Sequence, residues 1–214
     1  MNFDRVATFY DRLARLVFGR WLDQSRRLIL SELPVSQRTL IIGAGSGDML
    51  FALSERKILS QVVFLEPSRR FLRQAQVSWR HKPYHQEISV QWENRSLQAY
   101  HTKENFDLIT TDYFLDLFRE AECKQLLKKI DDLLTPDGYW LNIDFCHNEH
   151  TAWWWKPIRC LMYRFFALAA GVPARRLEDV GRLAREQGFV CIDAKWMAAG
   201  GIEVSLWRKA FKEH

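Results

Sequence analysis

Paired cysteines, linker-like tracts and membrane-length apolar runs are all missing from this chain. The four cysteines, Cys123, Cys146, Cys160 and Cys191, are scattered without a C-x-x-C pair, which argues against both a zinc site and a disulfide framework. His147 and His150 flank an Asn-Glu pair with no further ligand cluster nearby, so the reading is a polar loop and no metal is expected. The six prolines and ten glycines gather in no tract that would divide the chain, and 214 residues at 48% hydrophobic content suffice for one large core. A single domain, 1–214, is therefore expected. The longest apolar stretches, such as residues 165–172, fall well short of the roughly 18 residues that cross a bilayer. The opening MNFDRV contains an acid and leads into a charged amphipathic stretch, which fits neither a signal nor a transit peptide. The expected location is cytoplasmic, on a membrane surface at most.

A concentrated basic run is also lacking. The formal charge is +5 and the pI about 9.1, mild for a dedicated nucleic-acid binder, whose basic residues usually form one face. That balance suits anionic surfaces in general, and nucleic acid is not the expected partner.

What is present is strong periodicity. From Val6 to Leu22 apolar residues recur at three- and four-residue spacing between arginines, predicting an amphipathic helix broken near Gly19. A second helix is expected over Leu22–Leu33, stopped by Pro34. Strands are expected at Thr39–Ile42, Val62–Glu66, Ile88–Trp92, Phe106–Thr111, Tyr139–Phe145, Phe189–Trp196 and Ile202–Arg208, with helices between most of them. Such alternation predicts a largely parallel sheet covered on both faces. The last two strands are joined by the short turn Ala198-Ala199-Gly200-Gly201 and should pair as an antiparallel hairpin.

The strongest local signal is Leu40-Ile41-Ile42-Gly43-Ala44-Gly45-Ser46-Gly47-Asp48. Here an apolar strand enters a G-x-G-x-G turn that opens a helix, so the backbone can turn sharply and approach a ligand with its N–H groups exposed. A nucleotide-like ligand is implied; the bland alternative is a purely structural turn. Glu66 ends the next strand, about twenty positions on, where a carboxylate can accept hydrogen bonds from both ribose hydroxyls. Without a ligand it would be an exposed loop acid. A dehydrogenase G-x-G-x-x-G would need its third glycine at position 48, which is Asp, so hydride transfer ranks below the reading that follows.

Taken in order, these features resemble the class I S-adenosylmethionine-dependent methyltransferases from Thr39 to the end of the chain. The resemblance implies an α/β, Rossmann-like three-layer sandwich: a seven-stranded, mostly parallel sheet with an antiparallel C-terminal hairpin and N-terminal lid helices. Residues 1–37 would form the lid, 38–146 the cofactor-binding core, and 147–214 the acceptor-side helices and terminal hairpin. It also implies S-adenosyl-L-methionine as cofactor and S-adenosyl-L-homocysteine as product. Gly43, Ala44, Gly45 and Gly47 would receive the methionine part, Glu66 and Pro67 the ribose, and the loop with Glu93 and Asn94 the adenine. Phe106–Phe114 resembles the fourth-strand motif whose end faces the methyl group, and residues 134–139 the turn into strand five. One departure is Ile41, where many members of this family carry an acid two positions before the first glycine; Asp48 or a turn carbonyl would have to compensate.

Methyl transfer from a sulfonium is an in-line displacement with an activated donor, so placement of the acceptor dominates. A site can add a base or an aromatic face that tolerates the sulfonium charge, and Asp112, Tyr113 and Tyr10 are the candidates, with Asp112 also placed to touch the cofactor. Tyr10 equally suits simple packing on the sheet. Residues 9–19 resemble the opening of the quinone and phospholipid N-methyltransferase group, which points to a small, apolar or amphipathic acceptor. The segment Trp153–Phe166, three tryptophans followed by apolar residues at helical spacing among Lys156, Arg159 and Arg164, suits an acceptor cap or peripheral membrane contact; packing on the sheet or on a second subunit is its alternative. Against a small acceptor stand two rivals, an RNA, DNA or protein methyltransferase and a cofactor-binding protein without turnover.

Overall fold

The computed structural model describes residues 20–29, 32–146, 178–198 and 200–209. Most of the first expected helix, Tyr10, the resemblance at residues 9–19 and the Trp153–Phe166 segment lie outside these residues.

The described chain begins with helical residues 20–27, here α1. It continues through β1 (Ser36–Ile42), α2 (Asp48–Glu55), β2 (Leu59–Leu65), α3 (Arg69–Arg80), β3 (Ser89–Glu93), β4 (Phe106–Asp112), α4 (Glu120–Leu133), β5 (Leu134–Phe145), α5 (Val180–Gln187), β6 (Phe189–Met197) and β7 (Ile202–Lys209). The seven strands form one sheet in the order β3-β2-β1-β4-β5-β7-β6. All pairings are parallel except those of β7, which runs antiparallel to both β5 and β6. The expected hairpin exists, and its second arm is inserted between β5 and the first arm, leaving β6 at the edge.

Alternate residues of each strand feed two cores, as the two-residue period requires. Ile41, Phe64, Leu108 and Leu141 pack with α2 and α3 on one face; Leu40, Val63, Ile109 and Trp140 pack with α4 and α5 on the other. Near-continuous apolar runs such as Thr-Leu-Ile-Ile are the signature of strands buried on both faces. The helices carry the matching stripes. Leu72, Ala75 and Trp79 are the buried side of α3, whose first turn is capped by the Ser68 hydroxyl accepting from the Phe71 N–H at 3.3 Å. In α4 the buried side is Cys123, Leu126, Leu127, Ile130 and Leu133.

Two expectations need adjusting. The second helix ends at residue 27, short of Leu33. The stretch 134–139, expected as a turn before strand five, lies within β5: Phe106 pairs with Leu134 and Leu108 with Tyr139, so residues 135–138 bulge out of register. Pro136 cannot donate to a ladder, and a bulge is where a sheet tolerates it.

From β1 the chain steps outward through β2 to β3, then returns to build on the other side of β1 with β4. The carboxyl ends of β1 and β4 thus flank the point where strand order reverses, where open α/β sheets form a ligand crevice.

Candidate active site

The glycine turn leaves β1 at this crevice. Gly43, Gly45 and Gly47 all have left-handed backbones, with φ of 63°, 51° and 96°, which side chains other than glycine rarely adopt. Space separates their roles. A Cβ on Gly43 would meet the Phe114 ring at 2.7 Å, and one on Gly47 would meet Phe51 at 3.0 Å and Ala75 at 3.2 Å, whereas one on Gly45 would meet nothing within 4 Å among the described residues. Gly43 and Gly47 are therefore needed for packing, and Gly45 borders open volume.

On one side of the turn stands Glu66, 5% exposed. Its carboxylate accepts from the Gly45 N–H at 3.0 Å and from the Ser68 N–H at 2.8 Å, joining the turn to the start of α3. Asn94 donates to the carbonyls of Glu66 and Pro67 at 3.0 and 2.9 Å, and so fixes the β3 rim against the β2 end. Glu93 is engaged by Arg95 and Gln91, each at 2.8 Å. Glu66, Pro67, Glu93 and Asn94 are thus brought together as the sequence implied, with the last two occupied in bracing the rim.

On the other side, Asp112 closes β4 and Tyr113 follows with φ of 51°, an unusual conformation for a bulky residue. A residue that sequence reasoning missed organises both. Arg26 of α1, its side chain 11% exposed, places its Nε 2.9 Å from Asp112 Oδ2 and its Nη1 3.6 Å from Asp48 Oδ2; Asp23 lies 3.5 Å away. One helix position earlier, the Ser25 hydroxyl lies 2.9 Å from the Tyr113 hydroxyl. Nothing local distinguishes Arg26 from Arg20 and Arg27 beside it; only the docking of α1 selects it. The Tyr113 ring packs on Phe145 with centroids 4.8 Å apart.

Burial holds the Asp112 carboxyl above the ordinary carboxylate range although Arg26 pulls it down. Burial, with Asp112 adding to it, holds the Tyr113 phenol well above its usual range. Tyr113 therefore keeps its proton at neutral pH and offers a ring and a hydroxyl rather than a base. Among the described residues, Asp23, Asp48 and Asp112 gather on the one guanidinium of Arg26.

The profile of a family described as a methyltransferase domain matches residues 40–140, from β1 through β5. The span from β1 through β5 is thus a methyltransferase domain, and the sheet has the fold of the class I, S-adenosylmethionine-dependent enzymes. A search of curated proteins finds no match. Among solved structures, an S-adenosylmethionine-dependent methyltransferase from Clostridium acetobutylicum superposes with a TM-score of 0.65 at 13% identity, covering 96% of this chain and 98% of that one. The N-methyltransferase NodS from Bradyrhizobium japonicum gives 0.58 at 18% identity, covering 89% and 95%. The mitomycin 7-O-methyltransferase MmcR gives 0.70 at 18% identity over 95% of this chain, which spans only 59% of that one. At such identities the likeness is one of fold, and it extends to both N- and O-methyltransferases.

S-adenosylmethionine carries a sulfonium and an ammonium, and the carboxylates of Glu66 and Asp112 beside the glycine turn fit it. Among the described residues no group of three or more His, Cys, Asp or Glu is arranged to hold a metal.

A second carboxyl pair lies on the opposite face of the methyltransferase sheet. Asp144 Oδ2 accepts from the Leu115 and Asp116 N–H groups at 2.9 and 3.2 Å, and its carboxyl is hydrogen-bonded to that of Asp116. Burial pushes Asp116 up to about 6; burial and Asp116 together hold Asp144 well above the carboxylate range. Groups raised in this way stabilise the fold most below the unfolded pKa near 4, and that contribution is lost as pH rises through about 6 and beyond. Asp144→Asn, which keeps an oxygen for the two N–H groups, should therefore raise stability at pH 8 by roughly 1–2 kcal/mol. It should also flatten the fall in melting temperature between about pH 4 and 7. Melting curves over that range decide it; an unchanged slope would remove the carboxyl pair as its source.

Proposed function

We propose that this enzyme methylates a small apolar or amphipathic acceptor of quinone, phenol or lipid type. The observation that carries the reading is the crevice itself: the glycine turn is contiguous with Glu66 on one side and with the Asp112–Phe114 segment on the other. Glu66 would hold the ribose hydroxyls, the open backbone of Gly45 the thioether end, and the rim braced by Asn94 the adenine. S-adenosylmethionine supplies a methyl group already activated on its sulfonium. What remains for the protein is to place the acceptor and exclude water.

The acceptor side is aromatic where it is described. Tyr113 and Phe145 form one wall, and Phe114 packs on Phe118 with centroids 5.0 Å apart. Aromatic faces attract a sulfonium and accept apolar rings without demanding hydrogen bonds. The sequence of residues 9–19 and of Trp153–Phe166 supports the same acceptor class, the second through aromatic and basic residues suited to a membrane surface. No helix among the described residues is long and apolar enough to cross a membrane.

The test is transfer of labelled methyl from S-adenosylmethionine to a panel of quinols, phenols and phospholipid vesicles, with tRNA, DNA and a protein mixture alongside. Labelling within the small-molecule and lipid set is expected. Labelling confined to nucleic acid or protein would overturn the acceptor class, and binding without any labelling would favour a cofactor-binding protein.

A further inference from the structure

We propose that Asp112, through its Oδ1 atom, is the group that recognises the α-ammonium of the cofactor, a task that β1 cannot perform in this chain. The inference rests on the S-adenosylmethionine reading of the crevice and goes beyond it by assigning one atom to one functional group.

The carboxylate oxygens beside the glycine turn differ in what they already engage. The last three residues of β1, Leu40, Ile41 and Ile42, are at most 1% exposed and apolar, so the end of the strand offers an ammonium no side-chain acceptor. Glu66 is joined through both oxygens to the N–H groups of Gly45 and Ser68. Asp48 accepts from the Ser46 hydroxyl at 3.2 Å and faces Arg26. Asp112 gives Oδ2 to Arg26 at 2.9 Å, while its Oδ1 is buried with no hydrogen-bond partner among the described residues. A buried orphan oxygen is costly in either protonation state, because the carboxylate lacks a donor and the acid lacks an acceptor. A ligand N–H removes that cost; a cationic one removes it best.

Register places this atom where the glycine turn can share the ligand. Ile41 is paired with Thr110 on the adjacent parallel strand, and Asp112, two residues on, presents its side chain on the same face. The carboxylate stands one strand over, about 4.8 Å, and two residues further along, about 6.6 Å, from Ile41. That is toward the crevice. Phe114, two residues later still, lies against Gly43. Arg26 has a positioning role: by engaging Oδ2 it fixes the carboxylate and leaves Oδ1 for the ligand.

The test compares S-adenosylhomocysteine with its deamino analogue, which lacks only the ammonium, by calorimetric titration of the wild type and of Asp112→Asn. The wild type should prefer S-adenosylhomocysteine by about ten- to hundredfold, the range of one charge-assisted hydrogen bond. Asp112→Asn should abolish most of that preference while binding the deamino analogue as the wild type does. A wild type that binds both ligands equally would overturn the inference even if the variant fails to fold. So would a variant that keeps the full preference, or one that loses both ligands in parallel while melting like the wild type. Failure of the wild type to bind either ligand would instead overturn the cofactor reading.

Discussion

Glu66→Ala is expected to weaken binding of S-adenosylmethionine and S-adenosylhomocysteine by at least about a hundredfold, the loss of two hydrogen bonds to a charged acceptor at roughly 1.5–3 kcal/mol each. The same carboxylate also satisfies the N–H groups of Gly45 and Ser68. Removing it leaves donors without partners beside the turn, at about 1–3 kcal/mol apiece if water does not reach them. Two effects must therefore be separated. Glu66→Gln keeps an acceptor and the side-chain shape, so it should lose less stability than alanine yet still bind poorly, because an amide cannot accept through both of its terminal atoms. Titration calorimetry with parallel melting curves distinguishes them. Wild-type affinity in Glu66→Gln would show that the carboxylate braces the turn and does not touch the ligand.

Arg26→Ala should destabilise the fold by about 3 kcal/mol near pH 8, because it strands the buried Asp112 carboxylate without its contacting cation. The sign of the pH dependence follows from the same pair. Arg26 lowers the Asp112 pKa against the opposing effect of burial, so its removal raises that pKa further. The variant's deficit is then greatest where Asp112 must ionise and shrinks as pH falls and the carboxyl takes up its proton. Urea unfolding at pH 5 and pH 8 measures the difference. An equal deficit at both would mean that α1 is held by apolar packing, for instance of Trp21, Leu22 and Leu28 on the core, and not by the ion pair.

Much of the site was legible because its elements are local. A strand running into three glycines at alternate positions announces a turn that only glycine can make, and the structure adds that Gly43 and Gly47 serve packing while Gly45 borders space. Glu66 was legible because it ends a strand beside that turn. Glu93 and Asn94 were read from the resemblance as residues of an adenine-contacting loop, and their engagement with Pro67, Arg95 and Gln91 was not legible because it depends on strand pairing. Arg26 escaped notice for a related reason. Eighty-six residues separate it from Asp112, and a helix with arginines on several sides gives no sign of which one will be buried.

By itself the sequence determined the seven strands, the two-sided burial of the central ones, the terminal hairpin and the glycine turn, because each follows from periodicity and turn chemistry within a few consecutive residues. Only the tertiary structure decided that β7 enters between β5 and β6. A hairpin's pairing is fixed by its turn, whereas the arm that meets the rest of the sheet is fixed by which one fits the adjoining core. Here β7 brings Val204, Leu206 and Trp207 against that core, while β6 leaves Val190, Ile192 and Trp196 exposed at the edge. The tertiary structure likewise decided that one oxygen of Asp112 engages Arg26 and the other meets no partner among the described residues. Hydrogen-bond satisfaction is a property of how distant elements pack together, and no local pattern in the chain encodes it.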